Sequence, residues 1–148
     1  TATVEVAEGS VADLARRGQQ RMEQGQLEGA LRDYDQAVRL AEDERTKLAV
    51  VNGRAEVLAR MGRMEEALRD ATQVIALAPD SWKGYANRGG MHGRVGEHER
   101  SKADFDKAIE LLEQTRSLYE DDPKLLEKLD WMLTDYRDKA VPPGAGGS

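Results

Sequence analysis

The chain has 148 residues, 28 of them acidic and 22 basic, for a formal charge of −6. It holds no cysteine, which excludes a disulfide scaffold, thiol catalysis and cysteine-based zinc or iron–sulfur sites. The acidic balance argues against nucleic-acid wrapping, and no apolar run approaches the roughly 18 residues of a membrane span. The start of the chain also lacks a signal-peptide core, so a cytoplasmic protein without membrane insertion is expected. A chain of this length suits one domain able to bury roughly 70% of its unfolded surface. Leu, Ile, Val and Phe supply only 28 residues, while 19 alanines fill the gap. The core is therefore expected to be close-packed helix rather than sheet.

In chain order, residues 1–9 alternate weakly and read as an N-terminal tail. Ser10 with Asp13 three residues on is a capping-box-like start, and the helix after it runs toward Gly25. A second helix, Leu27 to about Ala41, carries Ala30, Leu31, Tyr34, Ala37 and Val38 at three/four spacing. A third runs from about Arg45 to Met61, and a fourth from Met64 to Leu77, ended by Pro79. Ser81 caps a fifth that reaches toward Gly96. The sixth begins near His98 and shows no stop until Asp121-Asp122-Pro123; the seventh spans Lys124 to about Lys139 with a leucine stripe. VPPGAGGS at 141–148 is flexible linker or tail material.

Glycines at the turns within pairs, Gly25, Gly62 and Gly96, are spaced by 37 and 34 residues. Seven positions before each turn stand Gly18, Ala55 and Gly89; five after it, Ala30, Ala67 and Ser101. Nine after it stand Tyr34, Ala71 and Phe105, and twelve after it Ala37, Val74 and Ala108. Small residues let antiparallel helices approach closely, and the larger one wedges between neighbouring pairs.

With this spacing the sequence resembles the tetratricopeptide repeat (TPR) family, most closely over residues 52–81 and 82–111. The resemblance implies an all-α, right-handed α-solenoid of about seven helices in one domain, 10–140. Its repeats fall at about 11–44, 48–81 and 82–115, with a capping helix at about 124–139. Repeat one departs by three extra residues around Asp43 to Lys47, expected to lengthen its exit loop. Repeat three lacks the terminal proline, so its second helix is expected to run on through Leu118 and Tyr119.

Nothing in the chain assembles an acid/base or nucleophile set, so no catalytic residue, metal or cofactor is expected and the chain is read as a non-enzyme. His92 and His98 read as packing and turn residues rather than a metal pair. GGMHGRVG at 89–96 has the glycines of a phosphate loop, but no strand precedes it. Gly89 fits the repeat packing. Gly90 and Gly93 either admit a ligand backbone or loosen their helix.

The resemblance implies a concave groove lined by the first helix of each pair. Its positions here are Ala12, Ala15, Arg16, Gln19, Met22 and Glu23, then Ala49, Asn52 or Gly53, Glu56 and Arg60, then Lys83, Ala86, Asn87, Gly90 and Arg94. Four bases against two acids favour an acidic segment or a peptide C-terminus. A TPR subclass reads chaperone C-terminal carboxylates through five groove positions. Here those positions hold Ala15, Gln19, Gly53 (with Asn52 one residue off register), Lys83 and Asn87, and only Lys83 matches. The expected function is a protein-interaction module, adaptor or co-chaperone-like, with Arg16, Gln19, Asn52, Arg60, Lys83, Asn87 and Arg94 in its groove. The alternative is a homo-oligomeric scaffold that assembles through the C-terminal helices, using Leu118, Tyr119, Leu126, Trp131 and Met132.

Overall fold

A computed structural model of the chain describes residues 10–144. The expected tail, 1–9, and the end of the expected linker, 145–148, lie outside the described residues. Seven helices follow one another: α1 (Val11–Glu23), α2 (Leu27–Leu40), α3 (Glu44–Arg60), α4 (Met64–Leu77), α5 (Trp82–Arg94), α6 (His98–Ser117) and α7 (Pro123–Lys139). Among the described residues there is no strand, and no helix is long and apolar enough to cross a membrane. The helices group into two compact units, with α1–α4 in the first and α5–α7 in the second.

Local chemistry explains the helix ends. Ser10, Asp43, Ser81 and Asp122 cap α1, α3, α5 and α7, each accepting from a backbone N–H in the first turn. Gly25, Gly62 and Gly96 adopt φ of 78°, 80° and 81°, and the N–H of the residue after each reaches back five positions. Those are Schellman closures, repeated at the turn inside every pair. Two boundaries differ from the sequence expectation. Because Asp43 receives the Thr46 N–H at 2.8 Å, the extra residues of the first repeat become the opening turn of a 17-residue α3 rather than a longer loop. And α6 stops at Ser117, short of the expected Leu118 and Tyr119, as its last N–H groups turn to three-residue bonds on Thr115 and Arg116. Leu118 is left 78% exposed.

In the first unit Leu14, Met22, Ala30, Tyr34, Ala37, Val50 and Val57 form the core. Tyr34 is its wedge. A Cβ at Gly18 would lie 2.9 Å from the Tyr34 ring, and one at Gly53 would strike the ring's other edge. The ring thus occupies notches in α1 and α3 that only glycine leaves open. Phe105 repeats the device against Gly89 in the second unit, where it packs with Ala86, Ala108 and Ala140. Leu112, Leu129 and Leu133 join α6 to α7, reinforced by the Arg116–Asp130 and Arg137–Glu113 ion pairs.

A second repeated device joins the helices of each pair. Arg17 donates to Asp33 at 3.1 and 2.7 Å, Arg54 to Asp70 at 2.8 and 2.9 Å, and Arg88 to Asp104 at 2.8 Å twice. Each arginine stands eight residues before its turn glycine and each aspartate eight after. The aspartates are buried, and such forked pairs are charge-assisted and bidentate. The hydrogen bond to the buried carboxylate raises Arg54 and Arg88 above their ordinary values, against the opposing effect of burial.

Candidate functional site

The first helices present the expected residues along stripes set by helical spacing. On α1, Arg16 and Gln19 are exposed. Arg16 is held by Asp13 at 2.7 Å, an acid outside the expected groove set. The Gln19 amide donates to Glu23 at 2.7 Å while its oxygen accepts from the Tyr34 hydroxyl at 3.4 Å. Met22 is a correction: at 1% exposure it belongs to the core and offers no groove contact. On α3, Asn52 is half-buried and Arg60 is exposed, paired with Glu56 at 2.9 Å. Of the two candidates at the α3 position, Gly53 is a packing residue against Tyr34, which leaves Asn52 for the exposed stripe.

Both expected cations of the first unit's face, Arg16 and Arg60, thus hold acids of their own helix. Burial raises the Tyr34 phenol above its ordinary value, and Glu56, Glu23 and Asp33 push it further in that order.

The second unit differs. Helix α5 (WKGYANRGGMHGR) contains no acidic residue. Lys83 and Asn87 are exposed one turn apart, and Arg94 is exposed at the helix end. Lys83 Nζ stands 5.5 Å from the centroid of the Trp82 ring, a cation–π placement that leaves it no carboxylate partner of its own helix. Arg88 is occupied by Asp104 and lies over the Tyr85 ring, so Tyr85 is a packing residue of this unit. Two of the four expected groove bases, Lys83 and Arg94, thus stand on a helix without acids.

His92 is buried, with Nδ1 3.0 Å from Glu97 Oε2 and Nε2 3.8 Å from Asp104 Oδ2. No group of three or more metal-binding side chains occurs among the described residues. Glycines 89, 90 and 93 all lie within α5, at negative φ. Gly89 is pressed by Phe105, whereas a Cβ at Gly90 would meet nothing within 4 Å. The Arg–Asp pairs are a further feature written in the sequence, as a 16-residue Arg-to-Asp spacing repeated in all three pairs.

No family model and no curated protein sequence matches this chain. Solved structures do. The first TPR of Spaghetti (RPAP3), bound to the HSP90 peptide SRMEEVD, superposes with a TM-score of 0.62 at 21% identity, covering 86% of this chain and 95% of that one. The Sgt2 TPR domain from Aspergillus fumigatus gives 0.62 at 20% identity, over 90% of this chain and 85% of that one. PcrH, a Pseudomonas aeruginosa protein, in complex with the chaperone binding region of PopD gives 0.65 at 16%, over 90% and 96%. The chain has the TPR fold.

Proposed function

We propose that this chain is a non-enzymatic interaction module of the adaptor or co-chaperone-like kind. It binds a peptide segment, acidic or C-terminal, along the first helices of its pairs. Its contacts are Arg16, Gln19, Asn52 and Arg60 in the first unit and Lys83, Asn87 and Arg94 in the second. The observation that carries the reading is α5, an acid-free helix with Lys83, Asn87 and Arg94 exposed, on a chain of net charge −6. Neighbours of the same fold are seen with an acidic HSP90 peptide and with a region of PopD, which supports a peptide as the ligand class. In this reading the anion preference lies in the second unit, and Gln19 and Asn52 of the first make neutral contacts.

The test is selection from a display library of peptides with free C-termini, run on the wild type and on the Lys83→Ala/Arg94→Ala double variant. The reading expects acidic peptides enriched by the wild type and that enrichment lost in the variant. Enrichment of basic peptides, or the same set from both proteins, contradicts it.

A specific observation favours a second reading, the self-assembling scaffold. Trp131 is 68% exposed and Leu118 and Tyr119 are also uncovered, three large apolar side chains in the C-terminal part of the second unit. Light scattering over a range of concentrations decides it: a mass that rises with concentration supports assembly, and a constant monomer mass removes it.

A further inference from the structure

Beside Gly90 and Gly93 lies an open cavity of about 350 Å³, all of whose lining residues belong to the second unit. We propose that it is a subsite for one acidic side chain of the bound peptide, an inference that rests on the peptide-binding reading above. Its volume stands at the small end of ligand pockets, suited to one residue with a stretch of backbone rather than to a larger molecule.

The cavity is lined by one glycine, Gly90, that the fold does not otherwise explain. Gly18, Gly53 and Gly89 each face an aromatic ring, and Gly25, Gly62 and Gly96 each need a positive φ. Gly90 does neither: its φ is ordinary for a helix and its missing Cβ has open space around it. At Gly93 a Cβ would meet only the Ser101 side chain, at 3.3 Å from Oγ. Gly93 thus lets Ser101 of α6 approach closely, and Gly90 leaves room at the helix surface, where a peptide backbone can approach.

The chemistry of the walls names the occupant. Arg94, Lys139 and His98 line the cavity, and no carboxylate does. Lys139 holds Asp135 at 2.7 Å, so it contributes a shared charge, and Asp135 is not among the lining residues. The Phe105 side chain supplies an apolar wall for the stem of a glutamate. Val141, Pro142 and Pro143 close another side. A recess with Arg94, Lys139 and His98 among its lining residues, apolar walls and no carboxylate of its own is complementary to one carboxylate on an apolar stem.

The test is amide chemical-shift mapping on the full chain with three probes: N-acetyl-glutamate N-methylamide, its glutamine counterpart, and acetate. The glutamate probe should shift the amides of Gly90, Gly93, Arg94 and Ser101 saturably, with affinity about fivefold above the glutamine probe, the scale of one exposed charge contact. Acetate should bind more weakly than the glutamate probe, because it lacks the backbone that Gly90 admits. Gly90→Leu should abolish the shifts while the melting temperature holds or rises, since glycine is the poorer helix former. Arg94→Gln should weaken the glutamate probe about fivefold without refilling the cavity. Equal binding of glutamate and glutamine probes, or unchanged binding in Gly90→Leu, overturns the proposal. Acetate matching the glutamate probe overturns it in favour of a free-anion site. A library peptide that binds but shifts none of these amides overturns the subsite and leaves the module reading standing. Saturable probe binding with no peptide selected by the library supports acid recognition by the cavity and counts against the module reading.

Discussion

Gly53 and Gly90 sit in first helices of their pairs and should respond oppositely to the same added methyl. At Gly53 the methyl would enter the Tyr34 ring, so Gly53→Ala should cost about 1–3 kcal/mol, the scale of overpacking a core. At Gly90 it meets open space, so Gly90→Ala should gain up to about 1 kcal/mol from helix propensity alone. Urea denaturation of both variants checks the pair, and a loss at Gly90 would show that the space is not open. The buried ion pairs follow another rule. Asp104→Asn leaves the Arg88 fork half-satisfied and should cost about 2 kcal/mol, whereas Arg88→Met with Asp104→Leu should recover most of that loss, because both charges then leave together. Thr46 backbone and hydroxyl groups, Arg63 and Arg116 hold the exposed carboxyls Asp43, Glu66 and Asp130 below the ordinary carboxylate range. A depressed folded value stabilises above the unfolded value, near 4, and that stabilisation is lost as the pH falls through the folded one. The urea midpoint should therefore hold between about pH 7 and 5 and decline below about pH 4, with Glu66→Gln flattening part of the decline. A midpoint that rises on acidification contradicts the assignment.

Among the helices, α5 and α7 carry the sharpest expectations. Four glycines in the 13-residue α5, three of them at 89, 90 and 93, predict faster amide exchange over Gly89–Arg94 than over Glu66–Leu77 in α4. Equal protection would mean that packing by Phe105 and the His92–Glu97 contact offsets the glycines. Helix α7 covers Leu112, which is fully buried against Leu129 and Leu133, so Leu112→Ala should cost about 2–5 kcal/mol. A chain ending at Asp122 should melt lower still and lose solubility, since it exposes Leu112 and part of the Phe105 cluster. Much of this layout was legible in the sequence because turn and cap chemistry is local. Ser10, Ser81 and the three turn glycines announce their helix ends, and Tyr34 and Phe105 announce their notches by spacing alone. What was not legible depended on distant partners. Leu118 and Tyr119 looked like the continuation of α6, but the helix closes at Ser117 and leaves both exposed. Met22 looked like a groove residue because helical spacing cannot tell which of two adjacent stripes faces the core. The cavity beside Gly90 needs Lys139–Pro143, more than forty residues on, to give it walls.

At the level of the whole molecule, charge is distributed against its own average. The chain carries −6, yet α5 has no acid and its Lys83 and Arg94 face outward, while Arg16 and Arg60 hold acids on their own helices. Substituting Lys83, which has no acid on its own helix, should weaken peptide affinity several-fold, as single exposed charges do, and substituting Arg16 or Arg60 should weaken it less. The measurement that tests the central claim most directly is calorimetric titration of one library-selected peptide at about 50 and 500 mM salt, on the wild type and on Lys83→Ala/Arg94→Ala. The account predicts binding by the wild type that weakens markedly with salt, and a double variant whose weaker binding has lost most of that salt dependence. Salt-independent binding of equal strength to both proteins would contradict it.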